Sequence, residues 1–322
     1  MTDNSRHALV GAVGGTYISL ATMDIDELSV ANFALLNSAS FTSPMEAIER
    51  YLKSLPKVPD KVGLSVAGTV EGDGVKMNHL PWAFDKNDIR AVTGASHIAF
   101  VNEFEALALA APHMTDYDLI TIGAGKPQRY GTRLVISAGT GVGLAALVWS
   151  GEKWTAISGE SRYASFVPTV AAIDLGQVGL TVGEVFTGAG LVRLYKAAGG
   201  KAKKPSPEDV TRAGLSGEDD AGASALGQMA SWLGQFAGDM ALHFGATGGV
   251  YLAGGMPANI VPALQTGRFR DAFEGGGARH EVLGNFPVQV IKAGADAGLR
   301  GAAVALSNSL PARVTSIRRL RA

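Results

Sequence analysis

His7-Ala8-Leu9-Val10-Gly11-Ala12-Val13-Gly14-Gly15-Thr16-Tyr17-Ile18-Ser19-Leu20-Ala21-Thr22-Met23 is the stretch from which the fold is read. His7–Val13 and Tyr17–Met23 are short runs of apolar and β-branched residues, and Gly14-Gly15-Thr16 separates them. That pattern predicts a hairpin closed by a glycine turn. Leu28–Leu35 continues as a third strand. Pro44–Leu55 reads as an amphipathic helix, with Met45, Ile48, Tyr51 and Leu52 on one face and Ser43 as its cap. Lys61–Ala67 and His97–Val101 are further apolar strands, so a β-β-β-α-β-α order makes one lobe.

After Ala110-Ala111-Pro112 the pattern restarts. Arg133–Ser137 and Val142–Trp149 are again paired strands, joined by Ala138-Gly139-Thr140-Gly141, and the echo of the first hairpin predicts an internal duplication. Leu226, Met229, Leu233, Phe236, Met240 and Phe244 recur at spacings of three and four along one long helix. A strand at Val250–Ala253 leads into Gly254-Gly255, Val288–Ile291 is the last strand, and Gly298–Asn308 is a closing helix. The expected class is α/β, with residues 1–112 plus 303–322 as a smaller lobe and 113–302 as a larger one. Gly199–Pro205 reads as an exposed, lysine-rich loop rather than an interdomain linker.

Composition narrows the function. The chain has 322 residues, 47% hydrophobic and 18% charged, which is ordinary for a globular protein too long for one core. A net charge of −1 gives no electrostatic case for nucleic acid or an anionic membrane. The basic tail Arg313, Arg318, Arg319 and Arg321 reads as a solvated helix end, with anion binding as the alternative. The absence of cysteine removes disulfides, thiolate metal sites and a cysteine nucleophile, and it suits a reducing compartment. No apolar stretch reaches the roughly 20 residues of a membrane helix, and the N-terminus lacks a secretory h-region, so a cytoplasmic protein is expected. The 42 glycines cluster at the ends of β-type runs, where a backbone turns tightly or meets a ligand closely.

A glycine turn between strands leaves N–H groups unshielded, so phosphate oxygens can reach them. Gly14-Gly15-Thr16 and Gly139-Thr140-Gly141 each have this character, and a duplicated pair suits a clamp on one polyphosphate. The strand His97–Val101 ends in Asn102-Glu103-Phe104. A carboxylate there is placed for a general base, although an acid in the first turn of a helix reads equally as a dipole partner. Gly254-Gly255 offers a close-approach surface for an adenosine, or a plain strand-to-helix turn.

In this order the motifs are recognisable, and the chain resembles the bacterial glucokinase family, within the actin, hexokinase and heat-shock chaperone ATPase fold. Val10-Gly11-Ala12-Val13-Gly14-Gly15-Thr16-Tyr17 is similar to the family's first phosphate loop, Asp-x-Gly-Gly-Thr-Asn. Met77-Asn78-His79 with Trp82-Ala83-Phe84 resembles the segment bearing a sugar-side Asn. Asn102-Glu103-Phe104-Glu105-Ala106 falls on Asn-Asp-Phe-x-Ala, Gly139-Thr140-Gly141-Val142-Gly143 on the second phosphate loop, and Gly159-Glu160-Ser161-Arg162-Tyr163 on Gly-Glu-Gly-Gly-His. Thr187–Tyr195 follows Ser-Gly-x-Gly-Leu-x-x-Leu-Tyr, and Gly249–Gly255 follows the adenosine segment.

The resemblance implies two ribonuclease-H-like (actin-like ATPase) lobes of mixed sheets flanked by helices, with a cleft between them. It implies transfer of the ATP γ-phosphoryl group to the 6-hydroxyl of a hexose, by default glucose. In the implied site Glu103 is the base. Asn78, Asn102, Glu160, Tyr163 and Glu184 meet the sugar; Gly14, Gly15, Thr16, Gly139, Thr140 and Gly141 line phosphates; Gly254 and Gly255 face adenosine. Magnesium is expected to travel on ATP with no dedicated protein ligands, and the family habit implies a homodimer.

Five positions depart from the pattern. Ala12 replaces the first-loop Asp, Tyr17 the adjacent Asn, Glu103 the catalytic Asp, Tyr163 the sugar-binding His and Gly183 a sugar-binding Glu. Glu184 or Asp24 is expected to cover a lost carboxylate. An alternative implication is a catalytically impaired regulator that binds sugar or nucleotide.

Overall fold

The computed structural model describes residues 6–169, 180–292 and 296–311, so the tail arginines and part of the 303–322 segment lie outside the described residues. The chain forms two units, Met1–Glu103 with Gly298–Ala322, and Phe104–Ala297.

In the first unit β1 (His7–Val13), β2 (Tyr17–Asp24) and β3 (Ser29–Asn37) form an antiparallel meander. Helix α1 (Pro44–Leu52) follows, capped by Ser43, whose Oγ accepts from the Glu46 N–H at 3.3 Å. It ends one turn earlier than its periodicity predicts. β4 (Lys61–Val66) lies parallel to β1, and β8 (His97–Asn102) parallel to β4, giving the sheet order β3-β2-β1-β4-β8. Between β4 and β8 come a small sheet of β5 (Gly68–Glu71), β6 (Gly74–Met77) and β7 (Ala83–Asp85), and then helix α2 (Lys86–Thr93). One face of the large sheet buries Leu9, Ile18, Leu20, Ile48, Leu64 and Ile89. The other holds the C-terminal helix Ala297–Ser309, whose Leu299, Ala303 and Leu306 pack on Ala8, Val10, Ala21 and Ala99. That helix can lie so close because β4 carries Gly63, where a Cβ would stand 2.6 Å from the Ala302 carbonyl oxygen.

The second unit repeats the plan. It contains α3 (Glu103–Ala110, whose first residue closes the first unit), β9 (Leu119–Thr121), β10 (Arg133–Ser137), β11 (Gly143–Trp149), β12 (Trp154–Gly159), β13 (Ser165–Phe166), β14 (Leu180–Thr181), α4 (Val182–Val185), α5 (Gly188–Ala197), α6 (Pro207–Ser216) and α7 (Asp220–Phe244). β15 (Gly249–Ala253), α8 (Gly255–Asn259) and β16 (Val288–Ile291) complete the part that builds the site. Its sheet order is β12-β11-β10-β15-β16-β9. As in the first unit, an antiparallel meander is extended by two parallel strands, and here β9 adds an antiparallel edge. The class is α/β with a duplicated sheet. Helix α7 lays Met229, Leu233 and Ala237 into the core against this sheet, with Trp232, Phe186 and Phe236 in the same apolar cluster. No described helix is long and apolar enough to cross a membrane.

The two units meet in sequence at Glu103/Phe104 and Ala297/Gly298. The reason is local. A Cβ at Gly143 would stand 2.1 Å from the Phe104 ring, and Ser158 Oγ donates to Glu105 at 2.8 Å, so α3 is held by β11 and β12. Gly63→Ala is expected to lift the C-terminal helix off β4 and cost about 1–3 kcal/mol, read as a lowered midpoint in thermal or urea unfolding. An unchanged midpoint would show that the helix does not need that approach.

Candidate active site

The first turn is built at the end of the β1–β2 hairpin, beyond the last pair Val13 and Ile18. The Gly14 N–H donates to the Tyr17 carbonyl at 3.0 Å, and Ser38 binds the turn twice, through Oγ to the Gly14 carbonyl and N–H to the Thr16 carbonyl. Gly14 therefore spends its donor on the turn, and Gly15 and Thr16 supply the N–H groups at its tip. A Cβ on Gly15 would stand 3.2 Å from that of His79, a neighbour that sequence reasoning passed over although it adjoins Asn78.

Two further hydrogen bonds gather residues that the resemblance implies meet the sugar. Ala67 N–H donates to the Val13 carbonyl at 2.9 Å, and Asn78 N–H donates to the Ala67 carbonyl at 3.1 Å, which brings Asn78 beside the turn. Asn102 ends β8 opposite Val66, and its Nδ2 donates to the Gly68 carbonyl at 3.0 Å and to Glu103 Oε2 at 2.9 Å. The carboxyl ends of parallel strands in α/β sheets are where ligands are held, and Gly15, Thr16, Asn78, Asn102 and Glu103 all collect there. Ala12 lies on the other side of this logic. It is half-buried against the start of the C-terminal helix, where a Cβ on Gly298 would stand 3.3 Å away, and it provides an apolar contact and no ligand atom. Asp24 ends β2 opposite His7, at the far end from the turn, and its Oδ1 accepts from the Asp26 and Glu27 N–H groups. Those bonds, the Glu27 one foremost, hold its carboxyl below the usual range, and it does not replace a carboxylate at the turn.

In the second unit the two predicted turns interlock. Gly139 (φ 137°) donates its N–H to the Phe186 carbonyl at 2.9 Å, and the Ala138 carbonyl accepts from Met256 N–H at 3.3 Å. Gly254 (φ 90°) lies so close that a Cβ there would stand 2.4 Å from the Ala138 oxygen. A side chain at Gly254 is excluded on both counts. Beside this junction is a cavity of about 690 Å³ whose wall includes Gly139, Thr140 and Gly255. Gly141 and Gly254 are absent from that wall; Gly254 shapes the turn, and the Gly141 carbonyl accepts from Ser137 Oγ at 3.2 Å.

Sequence reasoning matched Thr187–Tyr195 to a family stretch without giving it a role, and it did not point to the α6 part of the wall. Gly188 and Ala189 begin α5, whose cap Thr187 accepts from Gly190 N–H at 3.1 Å, and the first N–H groups of a helix have no partner within it. Pro207, Glu208, Thr211 and Arg212 of α6 and Met256, Asn259 and Ile260 complete the wall. Glycine turns, helix-start donors and apolar side chains in one cavity suit a ligand with an anionic end and a flat apolar end.

The segment implied to meet sugar is built differently from its pattern. Glu160 is exposed, with its carbonyl accepting from Tyr163 N–H at 3.1 Å. Tyr163 is 70% exposed, with the Arg162 guanidinium 5.3 Å from its ring centre. Glu184 Oε2 accepts from Thr181 N–H at 2.8 Å and Thr181 Oγ1 at 3.0 Å, a capping box on α4 that holds its carboxyl below the usual range. That oxygen serves the cap of α4. At Gly183 a Cβ would stand 2.9 Å from the Arg162 carbonyl oxygen, so there is no room for the glutamate of the pattern. Among the described residues no cluster of three His, Asp or Glu side chains could hold a metal.

A family model described as Glucokinase matches residues 9–309. The chain is similar to the glucokinase of Nitrobacter hamburgensis, at 34% identity over 88% of this chain and 92% of that protein. It is also similar to that of Chromohalobacter salexigens, at 33% identity over 94% of this chain and 98% of that protein. Among solved structures, glucokinase from an Antarctic psychrotroph superposes with a TM-score of 0.85 and 28% identity, covering 95% of this chain and all (100%) of that one. A ROK family glucokinase from Streptomyces griseus in complex with glucose and AMPPNP shares the fold, with a TM-score of 0.65 and 19% identity over 92% of this chain and 98% of that one.

Gly183→Ala is expected to lower stability by about 1–3 kcal/mol through contact with the Arg162 backbone, although alanine in a helix normally gains about 0.5–1 kcal/mol over glycine. A raised melting temperature would show instead that the segment around Arg162 yields.

Proposed function

The chain belongs to the glucokinase family, and we propose that it transfers the γ-phosphoryl group of ATP to the 6-hydroxyl of a hexose, with glucose as the default substrate. The observation that carries this reading is the Asn102–Glu103 hydrogen bond, which orients a carboxylate at the end of β8. In phosphoryl transfer the protein mainly positions groups and stabilises charge, and one carboxylate accepts the attacking hydroxyl's proton. Glu103 takes that role. Asn102 has its amide nitrogen committed to Gly68 and Glu103, and it meets a sugar hydroxyl through its oxygen. Asn78, Glu160 and Tyr163 hold other hydroxyls. Gly15 and Thr16, with Gly14 shaping their turn, and Gly139 and Thr140 with the start of α5, receive phosphate oxygens, and Gly255 faces the nucleoside.

Magnesium is proposed to arrive on the ATP phosphates. Ala12, in the place of the family's aspartate, has no oxygen for a hard cation, so the residues present fit an ion held by phosphate rather than by a protein cage. A cytoplasmic homodimer belongs to the same proposal; the cysteine-free composition supports the compartment, and the dimer rests on the resemblance alone.

A second reading, a sugar- or nucleotide-binding regulator without turnover, is favoured by one observation: Arg162 closes the space in which the glutamate at position 183 would stand. Steady-state ADP release with a panel of hexoses separates the two. The kinase reading predicts turnover with at least one hexose and a kcat loss of about 10²–10⁴-fold in Glu103→Gln, with sugar binding retained. Saturable ligand binding without ADP release from any hexose would establish the regulator instead.

A further inference from the structure

Sheet edges present unpaired N–H and C=O groups, and folded chains blunt them with short strands, bulges, charges or covering elements. Among the described residues, three of the four edges of the two large sheets follow that rule. β9 is only Leu119–Thr121. β3 is broken by a register shift against β2 between Leu20 and Thr22, and by Asn32 with a φ of 52°. β8 is covered, with Ile98, Ala99 and Val101 buried. The fourth edge, β12, has none of these protections. Trp154-Thr155-Ala156-Ile157-Ser158-Gly159 holds no charge and no proline, pairs with β11 in unbroken register and buries no residue. A flat, uncharged edge of this kind is a template for pairing with another chain.

The side chains around β12 suit an interface. Ile157 is 58% exposed, and Val148, opposite Thr155 on the same face, is 39% exposed. On the other face Trp149 and Trp154 meet edge to face at 5.2 Å, Tyr130 stacks on Trp149 at 5.0 Å, and the Arg133 guanidinium lies 4.4 Å from the Trp154 ring centre. Tryptophan, tyrosine and arginine are enriched where proteins meet. Charges stand only outside the strand, with Glu152 and Lys153 before it and Glu160 and Arg162 after it. Among the described residues neither Glu152 nor Arg162 has an ion-pair partner, and Arg162 meets only the Tyr163 ring.

Those flanking charges select the partner. Two copies of β12 related by a two-fold axis run antiparallel, so the start of each lies beside the end of the other. Residues opposed in an antiparallel ladder point to the same face, so the axis passes through a residue and not between two. At the middle of the strand that residue is Ala156 or Ile157. An axis at Ala156 sets Glu152 level with the partner's Glu160, and like charges repel. An axis at Ile157 sets Glu152 level with the partner's Arg162, twice by symmetry, and covers the exposed Ile157 with the partner's Ile157. We infer that two copies of this chain pair through β12 about an axis at Ile157, joining two six-stranded sheets into one. The inference rests on the homodimer proposed above and names the surface that makes it.

The chain has no cysteine, so single introduced cysteines report the pairing cleanly. In sedimentation velocity at micromolar concentration the full-length wild type is expected to be a dimer. Ile157→Lys sets two ammonium groups against each other at the axis and is expected to weaken that dimer about 10-fold or more. Mild oxidation is expected to join Ile157→Cys to its own copy, since directly opposed strand residues stand within disulfide reach. Ala156→Cys and the exposed Phe33→Cys are expected to stay unjoined on a non-reducing gel. A monomeric wild type overturns the inference together with the homodimer proposal. A dimer that Ile157→Lys leaves intact, no disulfide in Ile157→Cys, or a disulfide formed as readily in Ala156→Cys or Phe33→Cys overturns this inference alone. If a thermal melt shows that Ile157→Lys does not fold, the three cysteine variants decide.

Discussion

The carbonyl oxygen of Ala138 occupies the space that a side chain at Gly254 would need, and the second unit's chemistry depends on that contact. Because Gly254 has no Cβ and adopts a positive φ, the end of β15 closes against the end of β10. The same carbonyl then accepts from Met256 N–H, which fixes where α8 starts. The cavity opens beside this junction, between the β10–β11 turn and the starts of α5 and α6. A methyl group at Gly254 would separate the two turns and dissolve the wall they share.

The first unit solves a similar problem with hydrogen bonds. Val13, Ala67 and Asn78 are linked through successive backbone N–H and carbonyl groups, and Asn102 ties β8 to Gly68. These bonds run across the carboxyl ends of β1, β4 and β8, so residues distant in sequence reach one edge of one sheet. Glu103 inherits its orientation from this arrangement. The bond from Asn102 fixes one oxygen of its carboxylate. Ala12 and Gly183 are explained by packing rather than chemistry: the first meets the C-terminal helix, and the second makes way for the Arg162 backbone.

Much of this was legible in the sequence. Both hairpins, the Ser43 cap and the long helix α7 follow from period, turn chemistry and capping, which are local. The short meander β5–β7 was not legible, since strands of three or four residues carry almost no period. The packing of α3 on β11 was not legible either, because the contact of Phe104 with Gly143 spans some forty residues. The α6 wall was missed for a similar reason, since nothing near Glu208 or Arg212 in sequence announces a cavity that they share with Gly139, Gly188 and Gly255. Glu184 is a different lesson. Thr181-x-x-Glu184 is a capping-box pattern that local reading could have found, and it explains where one of the carboxylate oxygens lies.

The proposed activity requires that a glutamate in the family's aspartate position support phosphoryl transfer. Phosphorus NMR of the protein incubated with ATP, magnesium and glucose tests it directly, because it identifies the bond made as well as the nucleotide consumed. ADP and a phosphomonoester on the sugar's 6-oxygen are expected in equal amounts. ATP that stays intact while glucose binding is independently detected, or ADP that appears only with free phosphate, would contradict it.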